Sequence, residues 1–190
     1  IFIFMTKRKS YGAKDIEVLE GLLPVRKRPG MYIGNTNIDG LHHLVNEILD
    51  NSIDEVVAGY AKKIDFKYDS DNSITIKDDG RGIPIDFHPK YKNKRAFEIV
   101  LTTLHSGGKF TNNAYKTSGG LHGVGISVVN ALSEKLEIKI YNKSKLYSQT
   151  YSKGRAKTKV KIEKCNKNIK GTEIKFIPDK EIFESILFSP

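Results

Sequence analysis

Acidic and amide side chains recur at helical spacing between residues 40 and 59. Projected at 100° per residue, His43, Glu47, Asp50, Asn51 and Asp54 fall in one narrow arc. An asparagine oxygen is a good ligand for Mg²⁺ beside phosphate oxygens, and a glutamate one helical turn away can accept a proton from an attacking water. We therefore interpret Glu47 as a candidate general base, His43 as its assistant and Asn51 as a candidate magnesium ligand.

The alternative is an ordinary amphipathic helix whose polar face is solvated. Two features favour chemistry: residues 46–55 contain four acids and no base in a chain of net charge +10, and Asp and Asn are poor helix formers. On either interpretation the core side is expected to carry Leu41, Leu44, Val45, Ile48, Leu49, Ser52, Ile53 and Val56.

A short acidic and glycine-rich turn, residues 78–82, follows a predicted strand. Gly80 and Gly82 permit a positive φ or a close backbone approach. The carboxylate of Asp78 beside such a backbone can accept hydrogen bonds from an exocyclic amino group such as that of adenine. A base without that donor would leave the buried carboxylate unpaired.

Two glycine runs, residues 107–110 and 118–125, lie in a loop of about twenty residues, and the second opens a predicted helix. Backbone amides freed by glycine at such a position can cradle phosphate, and long loops of this kind are usually lids or binding loops. Neither a Walker A loop nor a dinucleotide-binding fingerprint is present, so these two templates are excluded.

The remaining pattern predicts the elements that would position these groups. We expect helices over residues 11–23, 40–59, 96–104 and 125–132, a hairpin of strands 64–68 and 73–76, and strands over 136–141, 146–151 and 172–177. Residues 26–30 read as a basic loop with a turn. This order predicts an α+β fold, with helices on one face of a largely antiparallel or mixed sheet.

Composition indicates a globular protein: 38% of the 190 residues are hydrophobic and 28% are charged. A single cysteine, Cys165, excludes a disulfide within the chain and favours a reducing, cytoplasmic setting. The apolar start is too short to span a bilayer, so we expect no membrane association. The net charge suits a nucleotide or a nucleic acid. Because the lysines look scattered, a generally basic surface is an equal alternative.

Three motifs together resemble the GHKL ATPases, the superfamily of gyrase, a heat-shock chaperone, histidine kinases and MutL. They are Glu47, Asn51 and Glu55 on the predicted helix, the D-x-G-x-G run from Asp78, and the G-x-x-G-x-G run ending at Gly125. The resemblance implies the GHKL (Bergerat) ATP-binding fold, with helices layered on one face of a mixed, mostly antiparallel sheet.

Longer segments narrow the resemblance to one branch of that superfamily. Residues 24–34, 104–110 and 118–130 resemble the ATP-hydrolysing B subunit of bacterial type IIA DNA topoisomerases, and the likeness runs over residues 11–178. The length of the segment from His88 to Glu98 favours the B subunit of topoisomerase IV over that of DNA gyrase.

The resemblance also implies a role for individual residues. Glu47 would be the general base assisted by His43, Asn51 would hold Mg²⁺, and Asp78 would bind adenine. Arg81 would pair with Glu55 at the pocket rim, and Tyr11 would reach the nucleotide of a partner subunit. The implied ATP-binding residues are Asn51, Asp78, Gly82, Ile83, Pro84, Lys109, Tyr115, Gly120, Leu121, His122, Gly123, Val124, Gly125 and Thr172, the last acting through ordered water.

For domain organisation we expect a flexible arm over residues 1–10 and an ATP-binding domain over residues 11–190. The family continues into a transducer domain whose lysine reaches the γ-phosphate, so we expect this chain to bind ATP, to turn it over poorly and to stay monomeric. In a longer subunit the resemblance implies DNA, an A-type subunit in a heterotetramer and ATP-dependent homodimerisation, in the cytoplasm with the nucleoid.

Three alternative classes of protein would be expected to differ from this sequence at particular residues. A histidine kinase would normally lack a glutamate one turn before Asn51, and a MutL-like repair protein or a chaperone would not be expected to carry residues 26–34. A basic DNA-binding module without enzymatic activity would depend on the lysine-rich residues 153–170. Its function would be indifferent to Glu47.

Overall fold

Five α-helices and nine β-strands make up the part of the chain that the computed structural model describes, residues 12–106 and 125–188. The helices are α1 (Leu23–Lys27), α2 (Gly30–Ile33), α3 (Ile38–Val57), α4 (Ala96–Thr102) and α5 (Ile126–Ala131). The strands are β1 (Ile64–Tyr68), β2 (Ile74–Asp78), β3 (Phe87–His88), β4 (Tyr91–Arg95), β5 (Ser133–Asn142), β6 (Lys145–Ser152), β7 (Arg155–Ala156), β8 (Lys161–Lys164) and β9 (Gly171–Pro178).

Seven strands form one sheet in the order β1-β2-β9-β5-β6-β7, and β8 also pairs with the outer side of β6. Every pairing among these strands is antiparallel. The predicted β1–β2 hairpin is present, and its turn places Asn72 at φ 60°, a conformation that asparagine tolerates better than most residues. The α+β class and the mostly antiparallel sheet are confirmed.

The hydrophobic core lies between the sheet and the helices on one of its faces. In β5 the alternate residues Leu136, Ile138 and Ile140 are fully buried. They join one cluster with residues of α3, α4 and α5 such as Leu44 and Phe97. The intervening β5 positions are charged and only half-buried, as expected for a sheet with one covered face and one open face.

Helix α3 is covered on two flanks rather than one. Leu41, Leu44 and Ile48 face the core as predicted, but Glu47 and Asp54 are buried as well. The placement of Ile53 and Val56 in the core is wrong, because both are exposed. The alternative of a simply solvated polar arc does not hold at Glu47, which accepts the amide of Gly125 just before α5. The turn after β2 contacts Ser52 and Glu55, which lie outside that arc.

The predicted helix over residues 11–23 is also wrong. Among residues 12–22 the structure describes only a 3-10 turn, Ala13–Asp15, and α1 begins at Leu23 with Pro24 in its first turn. Proline fits at that position because its missing N–H has no partner in a first turn, so it starts this helix rather than ending the one before. The predicted basic loop is therefore partly helical, with Arg26 and Lys27 in α1.

Several predicted features fall on residues that the structure does not describe. The flexible arm over residues 1–10, Tyr11, and most of the glycine-rich loop lie outside the described residues. Within residues 12–106 and 125–188, no helix combines the length and the apolar content that crossing a bilayer requires.

Gly171, the first residue of β9, provides a test of how tightly the sheet is joined to the turn after β2. Its φ is 114°, and a Cβ there would lie 2.0 Å from the carbonyl oxygen of Asp78. Gly59 also has a positive φ, 79°, but a Cβ there would meet nothing within 4 Å. Gly171→Ala therefore adds a backbone clash to the conformational strain of a left-handed residue.

We expect Gly171→Ala to lower the free energy of unfolding by about 3 kcal/mol or more. The matched change Gly59→Ala should cost only the strain term, about 1–2 kcal/mol. Urea unfolding of both variants measures the difference, and equal costs would show that the contact with Asp78 is easily relieved.

Candidate active site

Three parts of the fold meet along the polar flank of α3. The turn after β2 packs against Ser52 and Glu55, and the residue before α5, Gly125, reaches Glu47. Glu47 and Glu55 are eight residues apart, which corresponds to about 12 Å along the helix axis. The structure thus brings the described candidate residues together in one elongated site.

Asp78 lies at one end of this site, at the last position of β2, and it is 7% exposed. Its Oδ1 accepts hydrogen bonds from the backbone amides of Gly80 at 2.9 Å and Thr172 at 3.3 Å. Its Oδ2 accepts one from the hydroxyl of Ser52 at 3.3 Å. The carboxylate is therefore held by donors from the turn, from β9 and from α3.

Burial raises the pKa of the Asp78 carboxyl above its ordinary value, although the hydrogen bonds from Gly80, Thr172 and Ser52 oppose that shift. The pKa of the neighbouring Asp79 is shifted in the opposite direction. The backbone amides of Lys62 and Lys63 donate to Asp79 Oδ1 at 2.7 and 2.9 Å, and they lower the pKa of this exposed carboxyl.

Residues 82–84 connect the turn to the rest of the domain. Gly82 has φ 76°, and a Cβ there would lie 3.1 Å from Ile140 Cγ2, which explains the glycine. The amide of Ile83 donates to the hydroxyl of Thr172 at 3.3 Å. The carbonyl of Pro84 accepts the amide of Phe97, in the first turn of α4, at 3.2 Å.

Glu47 lies at the other end of the site and is 8% exposed. Its Oε2 accepts the backbone amide of Gly125 at 2.9 Å, and its Oε1 lies 3.3 Å from Nε2 of His43, one helical turn earlier. A buried carboxylate that is held by one backbone amide and lies beside a histidine is a suitable acceptor for the proton of a water.

Asn51 lies between the two ends, where its side-chain amide donates to the backbone carbonyl of Glu47 at 2.7 Å. This bond leaves the side-chain oxygen on the other side of the amide group, where it can serve as a ligand. The described residues contain no group of three or more His, Cys, Asp or Glu side chains that could hold a metal. One amide oxygen fits Mg²⁺, since that ion often binds through few protein ligands together with phosphates and waters.

Arg81 forms the rim of the site through a fork of hydrogen bonds to Glu55. Its Nη2 lies 2.7 Å from Oε1, and both its Nε and its backbone amide donate to Oε2, at 3.1 and 3.0 Å. The guanidinium also lies 3.6 Å from the centre of the Tyr60 ring. The pairing of Arg81 with Glu55 is confirmed as a contact that ties the turn to the end of α3.

Seven predicted ATP-binding residues lie outside the described residues, so their placement stays a prediction: Lys109, Tyr115, Gly120, Leu121, His122, Gly123 and Val124. Sequence reasoning also missed two residues of the site. Ser52 was assigned to the core, although it is a donor to Asp78. Gly171 was not singled out, and its only local signal is a glycine directly before a strand-like run.

Comparison with known proteins places the chain among relatives with a common domain. Residues 36–181 match the family described as histidine kinase-, DNA gyrase B-, and HSP90-like ATPase.

Individual relatives are named as topoisomerase B subunits. The B subunit of DNA topoisomerase 4 from Rickettsia bellii is 60% identical over the whole chain, and the chain spans 30% of that protein. The B subunit of mitochondrial DNA gyrase from Arabidopsis thaliana is 54% identical over 96% of the chain, which spans 25% of that protein.

A solved structure shares the fold. The 43K ATPase domain of Thermus thermophilus gyrase B, crystallised with an aminocoumarin, aligns with a TM-score of 0.77 and 40% identity. The alignment covers 89% of this chain and 42% of the gyrase chain.

The raised pKa of Asp78 makes a prediction about stability. The folded state binds the Asp78 proton more tightly than the unfolded state, so ionisation of Asp78 lowers the free energy of unfolding as the pH rises above 3.8. Asp78→Asn keeps the shape and stays neutral. We therefore expect this variant to be more stable than the wild type at pH 7, with the difference shrinking towards pH 3.5.

Urea unfolding at the two pH values measures this difference. Asp79→Asn is the matched control with the opposite sign, because the lowered pKa of Asp79 means that its ionised form stabilises the folded state. A loss of stability in Asp78→Asn at pH 7 would contradict the burial argument.

Proposed function

The chain belongs to the family of histidine kinase-, DNA gyrase B-, and HSP90-like ATPases, and we propose that it is the ATP-binding and ATP-hydrolysing domain of a type IIA DNA topoisomerase B subunit, of the topoisomerase IV kind. The observation that carries the proposal is the site along α3, with one buried carboxylate, Asp78, at one end and a second, Glu47, at the other. Powering DNA strand passage is the function of the intact subunit under this proposal.

Adenine would bind at the Asp78 end. The carboxylate already receives three protein hydrogen bonds, which hold both oxygens in place. A carboxylate oxygen has further lone pairs that can accept from the exocyclic amino group of adenine. The amide of Thr172 donates to this group, and Gly82 lies against Gly171, the residue before Thr172. Thr172 would contribute through ordered water, and Gly82 would allow the base to approach the backbone.

Hydrolysis would take place at the Glu47 end. Glu47 would accept the proton of the water that attacks the terminal phosphate, and His43, 3.3 Å away, would orient the carboxylate. The contact of Gly125 with Glu47 places the start of α5 beside the same group. Residues 109–124 would complete the phosphate site.

Asn51 would hold Mg²⁺ through its side-chain oxygen, and the ion would neutralise charge on the phosphates. The bond from the Asn51 amide to the Glu47 carbonyl presents that oxygen in a fixed direction. Asn51 and Glu47 therefore form one unit in which the ligand and the base have a set separation along the helix.

The names of the relatives favour a topoisomerase over the other kinds of protein in the family. Both relatives described above are topoisomerase B subunits, and their identity extends over 96–100% of the chain. A MutL-like repair protein is the alternative that the shared motifs leave open. The chain spans 30% of the topoisomerase IV relative, so DNA, an A-type subunit, ATP-dependent homodimerisation and a cytoplasmic, nucleoid-associated location belong to the proposal for the intact protein.

Asp78→Asn tests the adenine assignment. The variant replaces one acceptor oxygen by an NH₂ group that would face the amino group of adenine, so we expect ATP affinity to fall by about 100-fold or more. Isothermal titration calorimetry measures the affinity. Asp79→Asn removes the same charge one residue away and should retain ATP binding, and ATP affinity retained by Asp78→Asn would overturn the adenine assignment.

Glu47→Gln tests the general base. The substitution keeps an oxygen that can accept the Gly125 amide but removes the proton acceptor, so ATP should still bind. Hydrolysis by the intact subunit should fall by about 10²–10⁴-fold. Asp50→Asn removes one negative charge from the same helix and serves as the control, since it should leave hydrolysis unchanged. Hydrolysis that survives in Glu47→Gln would show that another residue is the general base.

A further inference from the structure

The positive charge of this protein is concentrated in one part of the sheet. Residues 143–170 contain ten basic residues and one acid, Glu163. Their net charge is therefore +9, against +10 for the whole chain. The lysines themselves are scattered, since 17 of the 26 lie outside residues 143–170, but there acids nearly balance the bases and the rest of the chain is close to neutral.

Six of these lysines form what we call the basic edge: Lys143, Lys145, Lys157, Lys159, Lys164 and Lys167. All six are exposed, and none forms an ion pair with another described residue, in contrast to Lys153 and Lys161. Their charges are therefore not compensated within residues 12–106 and 125–188.

The sheet brings these lysines together. Lys145 of β6 pairs directly with Lys164 of β8, and the amide of Lys157 donates to the carbonyl of Thr150 on the same strand. The basic edge thus follows β6 from Lys145 to Thr150, about 17 Å at 3.3 Å per residue. Two lysines directly opposite each other repel, and the pairing is destabilising unless an anion lies between them.

We propose that the basic edge binds the phosphate backbone of duplex DNA. A line of uncompensated lysines about 17 Å long matches a polyanion rather than a single phosphate, since duplex DNA carries one charge per about 1.7 Å. That the polyanion is DNA rests on the proposed function. The arrangement of the lysines is independent of that function. Three strand steps of about 4.8 Å separate β6 from β2 and four separate β8 from it, so the basic edge lies about 14–19 Å across the sheet from Asp78.

Protection of an edge strand is the competing explanation, because lysines on an open edge discourage pairing with another sheet. It accounts for the lysines on β6 and β8. It does not account for Lys143, in the β5–β6 turn, or for Lys157, Lys159 and Lys167, which lie outside the regular strands.

The test is binding of a 20-base-pair duplex by the 190-residue chain, measured by fluorescence anisotropy between 50 and 200 mM salt. We compare two variants with the same loss of charge. The edge variant carries Lys157→Gln, Lys159→Gln, Lys164→Gln and Lys167→Gln. The control variant carries Lys62→Gln, Lys92→Gln, Lys94→Gln and Lys135→Gln, all at exposed positions outside the basic edge.

We expect the wild type to bind with a steep salt dependence and without sequence preference. The edge variant should lose about 10-fold or more in affinity at 50 mM salt, and its salt slope should fall by about 0.9 for each phosphate contact removed. The control variant should bind like the wild type. Unchanged ATP binding and an unchanged urea midpoint establish that both variants are folded.

Equal losses in the two variants, or no binding of the duplex by the wild type, would overturn the proposal. Tighter binding to phosphatidylglycerol vesicles than to the duplex would overturn it in favour of a membrane surface. A chain that binds ATP but not DNA contradicts this inference alone, whereas one that binds DNA but not ATP contradicts the proposed function alone.

Discussion

A buried carboxylate at the end of β2 dictates the arrangement of the elements around it. Asp78 is 7% exposed, and a charge in that position has to be compensated by hydrogen bonds. The three donors come from separate places in the chain: Ser52 on α3, Gly80 in the turn, and Thr172 on β9. Satisfying one side chain therefore fixes the helix, the turn and the neighbouring strand relative to one another.

The same constraint explains the unusual burial of α3. A helix on an antiparallel sheet normally buries one flank and leaves the other in water. Here the turn that contains Gly80 and Arg81 is drawn onto the second flank by Ser52 and Glu55. On that flank the Glu47 carboxylate is held by the Gly125 amide from outside the helix, whereas the Asn51 side chain is held within α3 by the carbonyl of Glu47.

Local patterns were sufficient to predict much of this arrangement. The β1–β2 hairpin, α3 and the alternating strands depend on contacts between near neighbours, and so do the spacing of Glu47 and Asn51 and the turn after Asp78. The contact of Gly171 with Asp78 could not be predicted, because 93 residues separate the two positions and only the fold brings them together. The helix predicted over residues 11–23 failed for a different reason. Proline is found both after the end and in the first turn of helices, and the sequence around Pro24 does not distinguish these two positions.

The uneven distribution of charge along the chain also bears on the acids of α3. Four acids on α3 were noteworthy against a net charge of +10, but outside residues 143–170 the chain carries only +1. The four acids on α3 are therefore less unusual than the net charge of the whole chain suggests, and it is burial that distinguishes Glu47 of this helix and Asp78 of β2. About 14 Å of sheet separates β2, which ends at Asp78, from β6, and about 19 Å separates it from β8. The basic edge and the site along α3 share no residue, so the two surfaces can be altered by separate substitutions.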